Sequence, residues 1–396
     1  MAEIAARRVR IAPGFAMVTT AGHNPGRFRA NRFLRQSASL PREWPVAASS
    51  EACRFGSCAF RGRKPSGGTS LRTKGRGLPC NLSDGTRLPE QGAKCRMSKL
   101  ITLQEAIAAN VKDGDCVYAA GFTHLIPFAA GHEIMRQGRQ NLVLARATPD
   151  LIYDQMVAAG CARKVIFSYA GNPGVGSLRA LRAGIESGKI EWEEYSHFGM
   201  ISRLAAGAAG LPFLPMNPTA AGDLARVNPK IKQVIDPYSG RPVVTVPALC
   251  PDVAIIHAQR ADAEGNCQLW GIVGEQKEAA FASRRVIITA EDIVAEEVIR
   301  SDPNRTLIPG MIVHAVCHVP YCAHPSYTQG YYDRDNKFYL EWDELSGDPG
   351  RIRSWLDEWV YGVRNRADYW AKLGPEVHER LAVPPRWSEP VNYGGH

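Results

Sequence analysis

Nowhere in its 396 residues does the chain hold an apolar run near the ~20 residues of a helical membrane span, so no membrane association is expected. Residues 2–30 form no apolar core of the kind a secretory signal needs. Ten cysteines are present, but no two have the Cys-x-x-Cys spacing of a metal or redox site. Four of them (Cys53, Cys58, Cys80, Cys95) lie near the start. Several of the other six (Cys116, Cys161, Cys250, Cys267, Cys317, Cys322) sit inside apolar runs. This usage fits thiols of a reducing compartment and a cytoplasmic protein. A Gly-x-Ser-x-Gly elbow, a His-Glu-x-x-His helix, a dinucleotide fingerprint and a P-loop are all missing.

Acidic residues are scarce only at the start. Residues 1–96 hold 18 of the 48 Lys+Arg but 5 of the 39 Asp+Glu, while residues 97–396 hold 30 basic against 34 acidic. The basic excess therefore belongs to a leader rich in Arg, Gly, Pro and Ser, and the body gives no reason to expect nucleic acid. No apolar period persists in residues 1–96. The leader is expected to be disordered and outside the fold, since it cannot bury enough apolar surface to offset its ordering entropy. It also lacks the basic amphipathic helix of a transit peptide. The expected organisation is a leader over 1–96, one α/β domain over 97–374 and a polar tail over 375–396.

From Met97 the pattern changes. Thr102-Leu-Gln-Glu105 fits a capping box, with Leu103, Ala106, Ile107 and Val111 on one helical face. Asp113-Gly114 turns into a strand over 116–121, Asn141–Ala145 is a second strand, and Val165–Phe167 a third, with helices between them. This alternation predicts an open, largely parallel sheet with helices on both faces. Lys189–Tyr195 reads as a further strand ending at Ser196-His197. Residues 202–210 read as a small-residue helix stopped by Pro212 and Pro215, with Gly207 and Gly210 allowing close packing. Residues 217–242 read as loop. Val253–His257, the turn at 263–266 and Cys267–Trp270 read as strand, turn, strand. Val286–Thr289 and Ile312–Val316 are buried strands, and a helix is expected over about 351–369.

Chemistry in such sheets sits beyond the carboxyl ends of the strands, where two loops fall. One is Gly121-Phe122-Thr123-His124. The other, Ser168-Tyr-Ala-Gly171-Asn172-Pro-Gly174-Val-Gly176-Ser177, runs from strand to helix, with Ser177 placed as N-cap. Its glycines and the free N–H groups of the following helix suit either a ligand anion or a tight connection without ligand. His124, Ser168, Asn172, Ser196, His197 and Arg203 are the polar residues expected at the mouth. His314, Cys317, His318, Cys322 and His324 are set aside as a metal site, because His314 and Cys317 would point to opposite faces of a strand. The acidic stretch at Asp333 lacks the sixth-position glycine of a calcium loop, and Asp262–Asn266 reads as a hairpin turn. No metal is expected.

Longer phrases carry a resemblance. Asp113-Gly-Asp with Ala120-Gly-Phe122, Arg163–Asn172, Arg203–Phe213 and Asp252–Asn266 resemble the A (alpha) subunit of family I CoA-transferases. Within it, Gly121–Pro127, His132–Gly138, Thr148–Gln155, Gly171–Ser177 and Ala323–Tyr327 are similar to the 3-oxoadipate and glutaconate members. The resemblance spans about Met97 to Gly374 and implies a B (beta) subunit partner with the active site at the interface between the two. It implies CoA and acyl-CoA as substrates, with no permanently bound cofactor, and a glutamate of the B (beta) partner as nucleophile. The reaction would pass through an acyl-glutamyl anhydride and an enzyme–CoA thioester. No nucleophile motif of the Glu-x-Glu-Asn-Gly type occurs in this chain, so no catalytic residue is expected from it. Its expected part is to line the substrate and CoA site with Gly121, Phe122, Thr123, His124, Ser168, Gly171, Asn172, Gly174, Gly176, Ser196, His197 and Arg203. The family's Gly-Gly-Phe and Gly-x-Pro signatures read Ala120-Gly-Phe122 and Leu125-Ile-Pro127 here. The leading substrates are succinyl-CoA and 3-oxoadipate, as in aromatic-compound breakdown. The alternatives are glutaconate, a thioester hydrolase or ring-opening enzyme of the same fold, and a non-catalytic anion-binding regulatory subunit.

Overall fold

Thr102 opens the fold through the capping box that its spacing predicts. In the computed structural model, which describes residues 99–172 and 176–383, its side chain accepts from the Glu105 N–H while the Glu105 carboxylate accepts from the Thr102 N–H. The basic leader lies outside the described residues. After α1 (Leu103–Asn110) come β1 (Cys116–Ala119), α2 (Phe128–Arg136), β2 (Leu142–Ala145), α3 (Leu151–Ala158), β3 (Ala162–Phe167), α4 (Arg179–Glu186), β4 (Glu191–Glu194) and α5 (His197–Ala208). The chain continues through β5 (Phe213–Met216), α6 (Pro218–Ala221), α7 (Leu224–Val227), β6 (Lys232–Ile235), β7 (Pro242–Pro247), β8 (Val253–Ala261), β9 (Cys267–Gln268), α8 (Gln276–Ala282) and β10 (Arg285–Ile293). It closes with α9 (Glu296–Ser301), β11 (Thr306–Ile308), β12 (Ala315–His318), α10 (Asn336–Leu345), α11 (Pro349–Leu356), α12 (Arg366–Leu373) and α13 (Pro375–Leu381).

The main sheet is parallel through the order β4-β3-β2-β1-β8-β10-β12. Two short strands, β9 on the end of β8 and β11 on β9, run antiparallel. Burial on both faces follows from continuous apolar strands. Val117, Leu142, Leu144 and Ile255 pack into one core with α1 to α3, while Tyr118, Val143, Ala145 and Ile256 pack into a second with α5 and α8. Close approach of α5 to its neighbours depends on Gly207, where a Cβ would lie 2.4 Å from the Leu249 carbonyl and 3.1 Å from Ala282 Cβ. Gly210 has open space around it and a φ of +68°, so it turns the chain after α5 and does no packing.

Four element assignments depart from the sequence reading. Residues 217–242, read as loop, hold α6, α7 and β6, and β6 joins β5 and β7 in a separate antiparallel sheet. Every residue of β6 is exposed, so no apolar alternation marks it; Pro215 lies on an edge strand, where a missing N–H is tolerated. The helix read from 202 starts five residues earlier, at His197. The single helix expected over 351–369 is α11, a π-helical turn over Asp357–Tyr361, and α12, which Asn365 caps by accepting from the Asp368 N–H. Finally, the stretch read as tail from 375 begins with α13, whose Leu381 is buried against Tyr332 and Ala323, so the fold continues past 374.

Candidate active site

Four parallel strands, β1 to β4, end on the same edge of the sheet, and the loops that leave them carry most of the polar residues expected there. At the end of β1 the chain must reverse tightly. Gly121 takes φ +133°, and a Cβ on it would meet the His124 and Leu125 carbonyls at 2.7 and 2.8 Å. Thr123 and Leu125 follow with φ of 55° and 56°. The wound loop is held from several sides: Ser326 Oγ donates to the Thr123 carbonyl at 2.8 Å, and the Leu125 N–H donates to the Tyr327 carbonyl at 3.0 Å. His124 is wholly buried. Its Nε2 accepts from the Gln329 N–H at 3.0 Å, so Nδ1 carries the proton and donates to the Ile272 carbonyl at 3.1 Å. Burial drives its pKa down to about 3. The imidazole is thus a neutral interior crosslink of the loop, not a group presented at the mouth. Phe122 is exposed.

Behind Gly121 lies Arg146, immediately after β2. It is fully buried, donates from Nη2 to the Gly121 carbonyl, and among the described residues has no hydrogen-bond partner for Nε or Nη1. Beside it, Tyr118 donates to Glu275 Oε1 at 3.0 Å, and Tyr153 donates to the Ala145 carbonyl at 2.8 Å.

The ends of β2, β3 and β4 meet at one imidazole. Ser196 accepts from the Gly199 N–H at 3.1 Å and so caps α5, which sets His197 as the first helical residue. The exposed His197 ring then reaches Thr148 Oγ1 with Nε2 at 2.7 Å and Ser168 Oγ with Nδ1 at 2.5 Å. A neutral imidazole has one N–H and one lone pair, so one hydroxyl accepts from it and the other donates to it. The accepting hydroxyl keeps its own proton for an outside oxygen.

The Ser168–Ser177 loop is built differently from its expected use. Residues 173–175, among them Gly174, lie outside the described residues. Gly171 and Asn172 are buried, and the Asn172 N–H donates to the Gly176 carbonyl at 3.0 Å. Leu178, not Ser177, occupies the N-cap position of α4. Two N–H groups there are already taken by carboxylates of this chain: Ser177 donates to Asp343 Oδ1 and Leu181 to Asp154 Oδ1, both at 2.8 Å. Asp343 reaches the loop only because Gly176, with φ +116°, has no side chain; a Cβ there would lie 2.4 Å from Asp343 Cβ. This helix start therefore needs no ligand anion. The loop's opening residues, Ser168 and Tyr169, face a cavity of about 250 Å³ that Arg182, Glu186 and Glu194 also line.

Arg203 is likewise interior. Its Nε donates to the Pro247 carbonyl at 3.0 Å, and its guanidinium lies 4.2 Å from the Tyr195 ring centroid and 3.7 Å from Glu193. The arrangement ties α5 to β7 and away from the mouth. So Phe122, Thr123, Ser168, Ser196 and His197 gather near the strand ends, while His124 and Arg203 brace the scaffold. Thr148, Arg146 and Asp343 escaped the sequence reading. Thr148 alone had a local signal, a hydroxyl between a strand and the Pro149-Asp150 helix start.

Residues 100–318 match the family described as Coenzyme A transferase. The chain is 48% identical to the A (alpha) subunit of 3-oxoadipate CoA-transferase from Pseudomonas knackmussii, across 70% of this chain and 99% of that protein. It is 36% identical to the corresponding subunit of glutaconate CoA-transferase from Acidaminococcus fermentans, across 73% of this chain and 96% of that one. The crystal structure of glutaconate coenzyme A-transferase from the same organism superposes with a TM-score of 0.69 at 35% identity, covering 73% of this chain and 96% of that chain.

Proposed function

The chain belongs to the Coenzyme A transferase family, and on that premise we propose that it is the A (alpha) subunit of a heteromeric enzyme moving CoA from succinyl-CoA to 3-oxoadipate. The near-full-length match to the corresponding subunit of the 3-oxoadipate enzyme carries this reading. Acyl-CoA and the acceptor acid come and go as substrates, no cofactor is held permanently, and the complex works in the cytoplasm without nucleic acid. Among the described residues no helix is long and apolar enough to cross a membrane.

A partner-subunit glutamate supplies the nucleophile. Its carboxylate adds to the succinyl thioester carbonyl and expels CoA thiolate, leaving a mixed anhydride. The thiolate then attacks the glutamyl carbonyl and releases succinate. The acceptor carboxylate repeats the sequence in reverse, so the glutamate is regenerated and the acceptor leaves as its CoA thioester. Three acids of this chain near the strand ends, though not Glu194, are engaged internally: Asp150 accepts from Leu151 N–H and Tyr339 Oη, Asp154 from Leu181 N–H and Trp342 Nε1, and Glu275 from Tyr118 Oη. That supports a nucleophile from outside. The chain's own part is to orient carboxylate and carbonyl oxygens with the Thr148–His197–Ser168 bridge and the loop after β1, alongside Phe122, Thr123 and Ser196.

After incubation of the two-chain complex with succinyl-CoA and no acceptor, intact-mass measurement is expected to find CoA on the partner and none on this chain. An adduct on this chain would overturn the assignment. Hydrolysis is a second reading, favoured by Glu194: burial raises its pKa, and it lines the cavity beside Ser168. Glu194→Gln is expected to leave acceptor-dependent transfer within about threefold of the unaltered complex; loss of free-CoA release instead would support hydrolysis.

A further inference from the structure

Arg146 is a buried cation that makes one hydrogen bond. Its side chain is 0% exposed, and the Gly121 carbonyl takes Nη2 while Nε and Nη1 have no partner among the described residues. An incompletely paired buried guanidinium is costly, so its presence asks for a purpose other than stability. The peptide it grips suggests one. A trans peptide is planar, with C=O and N–H pointing in opposite directions. Because the Gly121 carbonyl points at buried Arg146, the Phe122 N–H of the same peptide points away from it, on a residue 37% exposed in the loop after β1. No hydrogen bond within the described residues occupies that N–H.

The loop cannot easily swing the peptide over. Gly121 is wedged against the His124 and Leu125 carbonyls, and His124, Thr123 and Leu125 are each fastened to the segment 326–329. A positive charge on the carbonyl oxygen also polarises the amide and strengthens its N–H as a donor. Every addition to a thioester or anhydride carbonyl in the transfer reaction puts negative charge on an oxygen, and donors fixed beforehand stabilise that charge most.

We propose that Arg146 is a positioning residue that holds the Phe122 N–H outward as an oxyanion donor for the transfer reaction. This rests on the transferase reading above. It assigns a role to the loop after β1 despite Leu125 standing where the family signature has a second glycine. Arg146 never touches substrate; it acts through one peptide plane.

The test compares the unaltered two-chain complex with Arg146→Met and Arg146→Lys, each assayed per assembled complex for kcat and for KM of acyl-CoA and acceptor. Arg146→Met is expected to lower kcat about 10- to 100-fold, with each KM within about threefold, the pattern of an interaction made in the transition state. Arg146→Lys keeps a cation near the carbonyl and is expected to recover about tenfold of that loss. A purely structural role would instead reduce the yield of complex and leave kcat per complex unchanged, which overturns the proposal. If Arg146→Met fails to assemble, Arg146→Lys decides alone: unaltered kcat overturns the proposal, and a reduced kcat at constant KM supports it. If the unaltered complex transfers no CoA, the transferase reading falls and the proposal falls with it.

Discussion

Around Glu193 three cations converge on one buried carboxylate. Lys164 approaches at 2.5 Å, Lys230 bonds to the same oxygen, and Arg203 lies 3.7 Å from the other. Burial alone would raise the pKa of Glu193, but the hydrogen bonds from the two lysines bring it down to about 2. A carboxylate depressed in the folded state contributes stability that is present above its unfolded value near 4.5 and is lost as pH falls toward about 2. Glu193→Gln is therefore expected to lower stability at pH 7 by roughly 2 kcal/mol and to flatten the acid limb between those values. Thermal unfolding followed from pH 7 to pH 2 checks this; parallel curves for the two proteins would contradict it. Gly176→Ala is expected to cost about 2 kcal/mol or more, since the methyl would displace Asp343 from the start of α4 in a backbone region unfavourable to L-residues. His197 was legible because it follows a stretch that alternates in sequence as a strand. Asp343 was not, because it meets Ser177 from 166 residues away and no local spacing marks such a pair.

Of the helices that follow β1 to β4, α3 and α5 start on side-chain caps, from Asp150 and Ser196. Ser196 is the capping residue that starts α5 at His197, so Ser196→Ala is expected to destabilise the protein by about 1 kcal/mol. The same change loosens the imidazole that Thr148 and Ser168 share, and should lower turnover more than Ser187→Ala, a surface change at the end of α4. Equal activity of the two variants would show the bridge to be scaffold. At the other end of the chain, α13 buries Leu381 beside Tyr332, and Arg380 pairs with Asp335 at 2.7 Å. A protein ending at Gly374 is expected to unfold several degrees below one ending at Val383, about 1–2 kcal/mol of stability. The alternating strands and helices of the parallel sheet were legible from apolar runs and turn residues alone. The β5-β7-β6 sheet and α13 were not: β6 is exposed along its length, and α13 has a single buried residue in Leu381.

At the scale of the whole molecule, the segments that follow β1, β3 and β4 carry exposed aromatic residues beside the polar ones: Phe122, Tyr169 and Phe198 at 37%, 46% and 56% exposure. Apolar surface next to an incomplete polar site fits an interface with a second subunit. Phe198→Glu is expected to weaken co-purification of the partner at least tenfold, while leaving the thermal stability of this chain nearly unchanged. The family match begins at residue 100, and a chain starting at Met97 is expected to assemble and turn over like the full-length one. Succinyl-CoA and 3-oxoadipate given to the purified complex should yield 3-oxoadipyl-CoA in an amount equal to the succinate released. Omission of either chain should abolish it. Free CoA without acyl transfer, or transfer by the partner alone, would contradict the account.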